Sequence, residues 1–162
     1  MSNTIKNIIS GIIGGVIVLS GVLIYSNFAP RSFGVSDGTG RDIISRIVEY
    51  QLVASDTAIE VASSTGGQFY LPYDATVRNV WAYNNDAGSG SASTFDINED
   101  GTSILSTVIT IDDGEKHSKD SATPAVISDT LLDKDNPITY DVDTISSGTA
   151  PNGLTIGLEL VL

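Results

Sequence analysis

A few stretches place oxygen, nitrogen or aromatic groups at spacings that bear on chemistry. The first is Asp96-Ile97-Asn98-Glu99-Asp100-Gly101. Oxygen ligands at alternate positions, followed by glycine for the turn, open a calcium loop of the D-x-N-x-D-G kind. Such a loop ends on a bidentate carboxylate at its twelfth position, where this chain has Thr107. The competing reading is a β-hairpin in which Asn98, Asp100 and Gly101 supply turn geometry. The missing carboxylate favours the turn, so calcium at Asp96, Asn98 and Asp100 is the lesser candidate and no other cofactor is expected. Two further acidic groups, Asp112, Asp113 and Glu115, and Asp133 with Asp135, read as solvated loop charges. His117, the single histidine, falls in the polar run DDGEKHSKDS and reads as an exposed loop residue. Trp81 and Tyr83 follow Val77 at even spacing. Core packing is the favoured reading for both, and a stacking platform for glycans the alternative. Without cysteine, thiol catalysis, thiolate metal sites and disulfides are excluded together. No glycine-rich phosphate loop leads from a strand into a helix.

The elements that must position these residues read as strands. Short apolar segments alternate with Gly, Asn, Asp and Pro, the pattern of an antiparallel β-domain. Strands are expected over 50–55, 58–63, 67–71, 76–84, 91–98, 103–106, 107–111, 125–128, 137–144 and 154–162. The last is the clearest: Leu154, Ile156, Leu158, Leu160 and Leu162 fall on one face, and Thr155, Gly157, Glu159 and Val161 on the other. One buried face per strand and many strands imply a sandwich, jelly-roll-like, over residues 49–162.

Ahead of this head lie residues 7–30, NIISGIIGGVIVLSGVLIYSNFAP, with no charged side chain. A charge-free apolar run of this length suits a transmembrane α-helix. The fold class expected is therefore mainly β, a single N-terminal transmembrane helix followed by an antiparallel β-sandwich. Residues 1–30 read as an uncleaved signal anchor, because no clean small-x-small cleavage site follows the run. Ser10 and Gly14 are four apart, as are Gly11 and Gly15, a spacing that lets two membrane helices pack closely. Residues 31–48 read as a linker. Within it, Ile43, Ile44, Ile47 and Val48 fit a short helix, while Val48, Tyr50 and Leu52 fit a strand already begun. The net charge is −12, and no Asp or Glu precedes Asp37. So acidic a head is a poor partner for nucleic-acid phosphate. It is expected on the outer side of the membrane.

Residues 69–105 read FYLPYDATVRNVWAYNNDAGSGSASTFDINEDGTSIL. The order is a strand pair around L-P-Y-x-A-T-V-x-N-V, a loop of small residues, then D-I-N-x-D-G-T-S-I. This resembles a β-sandwich module recurrent in bacteriophage virion proteins of tails, fibres and capsid surfaces. The likeness continues through ITIDDGEKHSKDSATPAVISDTLLDKDNPITYDVDTI to the closing GTAPNGLTIGLELVL and covers roughly residues 58–162. The resemblance implies a structural or attachment module and not an enzyme. The stem is outside that pattern and favours a virion that contains a membrane. The expected protein is a membrane-anchored structural component of such a bacteriophage, in the virion or host membrane. Its head is tethered to the capsid or displayed as a spike. Its partners are lipid, other virion proteins at the capsid or vertex, and further copies of itself in a homo-oligomer, with no nucleic acid. A cellular pilin-like or adhesin-type filament subunit is the alternative. A membrane-tethered hydrolase ranks last, because no nucleophile–base set is visible.

Overall fold

The computed structural model describes residues 45–162, together with the strand pairing of 35–36 and 42–43. Ser10, Gly11, Gly14, Gly15 and the whole of the expected anchor lie outside the described residues. Among the described residues no helix is long and apolar enough to cross a membrane.

Strands in chain order are β1 (Val35–Ser36), β2 (Asp42–Ile43), β3 (Ser45–Ala58), β4 (Gln68–Tyr70), β5 (Ala75–Asp86), β6 (Ser93–Glu99) and β7 (Thr102–Ser103). They continue with β8 (Leu105–Thr107), β9 (Ile109–Ile111), β10 (Val126–Ile127), β11 (Leu131–Leu132), β12 (Pro137–Thr144) and β13 (Asn152–Val161). The two larger sheets run β11-β5-β13-β3 and β4-β12-β6-β7, with β9 also on β6, while β1 pairs with β2 and β8 with β10 as separate two-stranded ribbons. Every pairing within these two sheets is antiparallel.

The two sheets share one core, which makes the head a sandwich. β13 contributes Leu154, Ile156, Leu158 and Leu160, and β5 contributes Val77, Val80 and Ala82. The other sheet supplies Phe95 and Ile97 from β6 and Ile138, Tyr140 and Val142 from β12. Each large aliphatic side chain buried here stabilises the fold by about 2 kcal/mol. Aromatic stacking joins edge strands β3 and β4, with Tyr50 on Phe69 at 5.1 Å and Phe69 on Tyr140 at 5.8 Å.

The alternation expected for 137–144 holds, as does that of 154–162 through Val161; Leu162, expected on the buried face, lies beyond β13 and is 46% exposed. The stretch read as either helix or strand is strand: β2 and the start of β3 occupy it, and Val48 pairs with Leu158 of β13. β3 thus begins at Ser45, inside the expected linker. The strand expected over 58–63 is absent. Ile59 is fully buried there, but only Ala62 makes a bridge, to Val142. This segment crosses from the edge of one sheet to the edge of the other, and Ser64 and Gly66 take positive φ to turn it. Such a crossing is incompatible with a continuous ladder.

Candidate functional site

The outer face of the β5-β13-β3 sheet carries a hollow lined by polar and aromatic side chains. Its shape follows from the central strand. The outward positions of β13 include Gly153, Thr155 and Gly157, all small. The strands on either side carry larger groups: Thr155 lies between Gln51 of β3 and Tyr83 of β5, and Gly157 between Glu49 and Trp81. Small residues on the middle strand and long ones on its neighbours leave a trough of about 450 Å³. Glu49, Gln51, Ser55, Tyr83, Asn85 and Thr155 are among its lining.

Trp81 stands beside Glu49 at one end. Its indole lies across Gly157, where a Cβ would collide with Cε2, Cζ2 and Nε1. The indole Nε1 donates to Glu49 Oε1 across the strand at 3.3 Å. Gly153 sits at the other end: its φ is 65°, and a side chain there would meet Ser55 Cα and Asn85 Cβ. Tyr83 packs against His117, ring centroids 5.4 Å apart, while their backbones form a bridge. Asn84, paired with the core residue Leu154, faces inward and is 4% exposed. Its Oδ1 and His117 Nδ1 are buried without hydrogen-bond partners among the described residues.

Trp81 and Tyr83 are thus half-buried surface residues, a correction to the core packing favoured from their spacing. The reason is a bulge in β5. Val77 pairs with Leu160 and Asn79 with Glu159, so Arg78 is the extra residue. One extra residue reverses which side chains face inward. Val77 is buried before it, Val80 and Ala82 after it, and Trp81 and Tyr83 turn outward. His117 is likewise half-buried against Tyr83 rather than exposed.

The calcium-type residues occupy the opposite sheet and are used differently. Asp96 and Asn98 lie within β6, and Asp100-Gly101 form the two-residue turn into β7, with φ 47° and 76°. Both φ positive is what a type I′ hairpin requires. An extended strand would separate the Cα atoms of Asp96 and Asp100 by roughly 13 Å, whereas a calcium loop curls its ligands around one point. Two of the three side chains are engaged elsewhere: Asp96 Oδ1 accepts from Ser103 Oγ at 2.7 Å, and Asn98 Nδ2 donates to Asp141 Oδ2 at 3.1 Å. Among the described residues no three His, Cys, Asp or Glu side chains gather as a metal site.

The loop carboxylates hold backbone. Asp112 Oδ2 accepts from Ala122 N and Asp113 Oδ1 from Gly90 N, each at 2.7 Å. Asp135 pairs with Lys134 at 3.5 Å. On β12, Asp143 is the extra residue where pairing with β6 slips between Val142 and Thr144. Its carboxyl titrates above the ordinary carboxylate value, through desolvation first and then the Asp96 and Asp141 charges. Burial likewise pushes the Tyr140 phenol upward, with Tyr50 adding to it.

Chemically, the trough offers an aromatic face, a carboxylate, amides and hydroxyls, with no cationic side chain in its lining among the described residues. This is equipment for binding by stacking and hydrogen bonds. No protein-family model matches the chain, and a search of curated proteins finds no match.

Proposed function

We propose that the chain is a membrane-anchored structural protein of a membrane-containing bacteriophage virion, whose jelly-roll-like head serves as a capsid-tethered or displayed attachment module. The observation that carries this reading is the joining of two unlike parts. Residues 7–30 hold no charged side chain, and the acidic residues begin only at Asp37. The antiparallel sandwich supports it, since the phage-like stretch implies a fold of that kind. Within this reading the stem inserts in lipid, with Ser10, Gly11, Gly14 and Gly15 as its packing face toward a second copy or another virion protein. The head binds through its surface and sheet edges.

Detergent extraction of purified particles tests it. The expected outcome is that the protein leaves the shell together with lipid and floats with reconstituted vesicles. Recovery in a lipid-free soluble fraction would sink the membrane reading. Capsid and packaging genes beside its own would separate the virion from the cellular filament.

A further inference from the structure

We infer that the trough between β3 and β5 is a binding subsite for a neutral saccharide. The inference rests on the attachment reading of the head and deepens it by naming a ligand class. Its first support is the combination of groups. Saccharides present apolar C–H faces and rings of hydroxyls, so their sites pair an aromatic ring with fixed hydrogen-bonding side chains. Tyr83 is half-buried on the sheet surface, and Glu49, Gln51, Ser55, Asn85 and Thr155 surround the same hollow.

The second support is charge. The lining holds one carboxylate and no Lys or Arg among the described residues. In a chain of net charge −12 this disfavours phosphates, sulfated glycans and sialylated ones. Leu154 is the lone aliphatic side chain in the lining, and it belongs to the core; an acyl chain would find little apolar wall. A carboxylate among amides suits neutral hydroxyls, which donate to oxygen and accept from N–H.

The third support is that the site is held in shape. Gly153 keeps the floor low, and Trp81, seated over Gly157 next along the strand, is fixed by its hydrogen bond to Glu49 of the lining. The ring of His117 packs on Tyr83.

Trp81 is the only tryptophan in the chain and its indole is hydrogen-bonded to Glu49 of the lining, so a ligand that displaces Glu49 alters its emission. The test uses the full chain in a zwitterionic, sugar-free detergent. It is titrated with glucose, galactose, mannose, N-acetylglucosamine and their neutral oligomers, with sialyllactose, heparin fragments and glucosamine as charged controls. A saturable emission change is expected for at least one neutral saccharide, with Kd on the order of 0.1–10 mM for so shallow a site. Saturation-transfer NMR should show contact to the same sugar. Tyr83→Ala should weaken binding about tenfold or more, and Thr155→Phe, which fills the floor, should abolish it. Tyr83→Phe and Gln51→Ala serve if either of those fails to fold by circular dichroism. The phenyl ring should retain binding within about threefold, and loss of the amide should weaken it. Absence of binding to every neutral saccharide overturns the inference, as does binding only to charged ones or binding untouched by Tyr83→Ala, Thr155→Phe or Gln51→Ala. Such a failure in a protein that still floats with lipid removes the subsite and leaves the anchor reading intact. Loss of flotation with binding retained does the reverse.

Discussion

The two outer faces of the sandwich are built from the same strand alternation and end up chemically opposed. On the β5-β13-β3 face, small residues on the central strand let Trp81 and Tyr83 lie between carboxylate and amide neighbours. On the β4-β12-β6 face, Asp96 pairs directly opposite Asp141, and Asp143 follows close by. Each face contains a bulge, at Arg78 and at Asp143 respectively. The first bulge changes which residues are presented. The second adds a carboxylate beside two others. A single inserted residue therefore acts through its neighbours: it exposes rings where rings follow it and concentrates charge where charge surrounds it.

Deleting Arg78 is the severest way to break this contrast. Restored alternation would drive Trp81 and Tyr83 toward the core and expose Val80 and Ala82. The expected result is a loss of more than about 4 kcal/mol, or no folded protein, in denaturant melts. A variant that folds with unchanged Trp81 emission would show that the bulge does not set the face.

Gly157→Val probes the same face more gently. Its side chain must displace the indole, at a cost of roughly 1–3 kcal/mol, with a changed Trp81 emission maximum. The comparison weakens if emission and melting both match the parent.

Asp143→Asn sharpens the contrast from the acidic side, with the smallest effect. The folded protein holds the Asp143 carboxyl above its ordinary value, so the native state binds its proton more tightly than the unfolded chain. The associated stability is present below the unfolded pKa and is lost as pH rises through the folded one. The parent should therefore lose stability across the range from the ordinary carboxylate value upward. Asp143→Asn should flatten that slope and melt slightly higher at neutral pH. Identical pH–melting curves would remove the carboxylate repulsion from the account.

How much of this is legible in the sequence depends on where the alternation is unbroken. Leu154 to Leu160 and Ile138 to Val142 show their buried face in sequence because β13 and β12 run straight across those residues. The hairpin at Asp100-Gly101 is legible because two adjacent residues carry the whole turn. The faces of Trp81 and Tyr83 are not, since Arg78 and Asn79 give no sign of which one the ladder will skip. Nor does local sequence show that His117 meets Tyr83, or that Gln51, Thr155 and Tyr83 form one row. Those contacts join positions far apart in the chain, and only the register between strands brings them together. Ile59 shows the limit from the other side: an apolar residue can be fully buried in a segment that is not a strand.

The edge position of β3 has a mechanical consequence. This strand is the first element of the sandwich and is paired within its sheet with β13 alone, along nine register positions from Ser45–Val161 to Ala58–Asn152. Its ladder hydrogen bonds run perpendicular to the strand. A tug on Ser45 along the strand axis therefore loads those pairs in shear, all at once, instead of peeling them one by one. A head gripped through its broad face and pulled from that end meets the resistance of a lap joint, not of a zip.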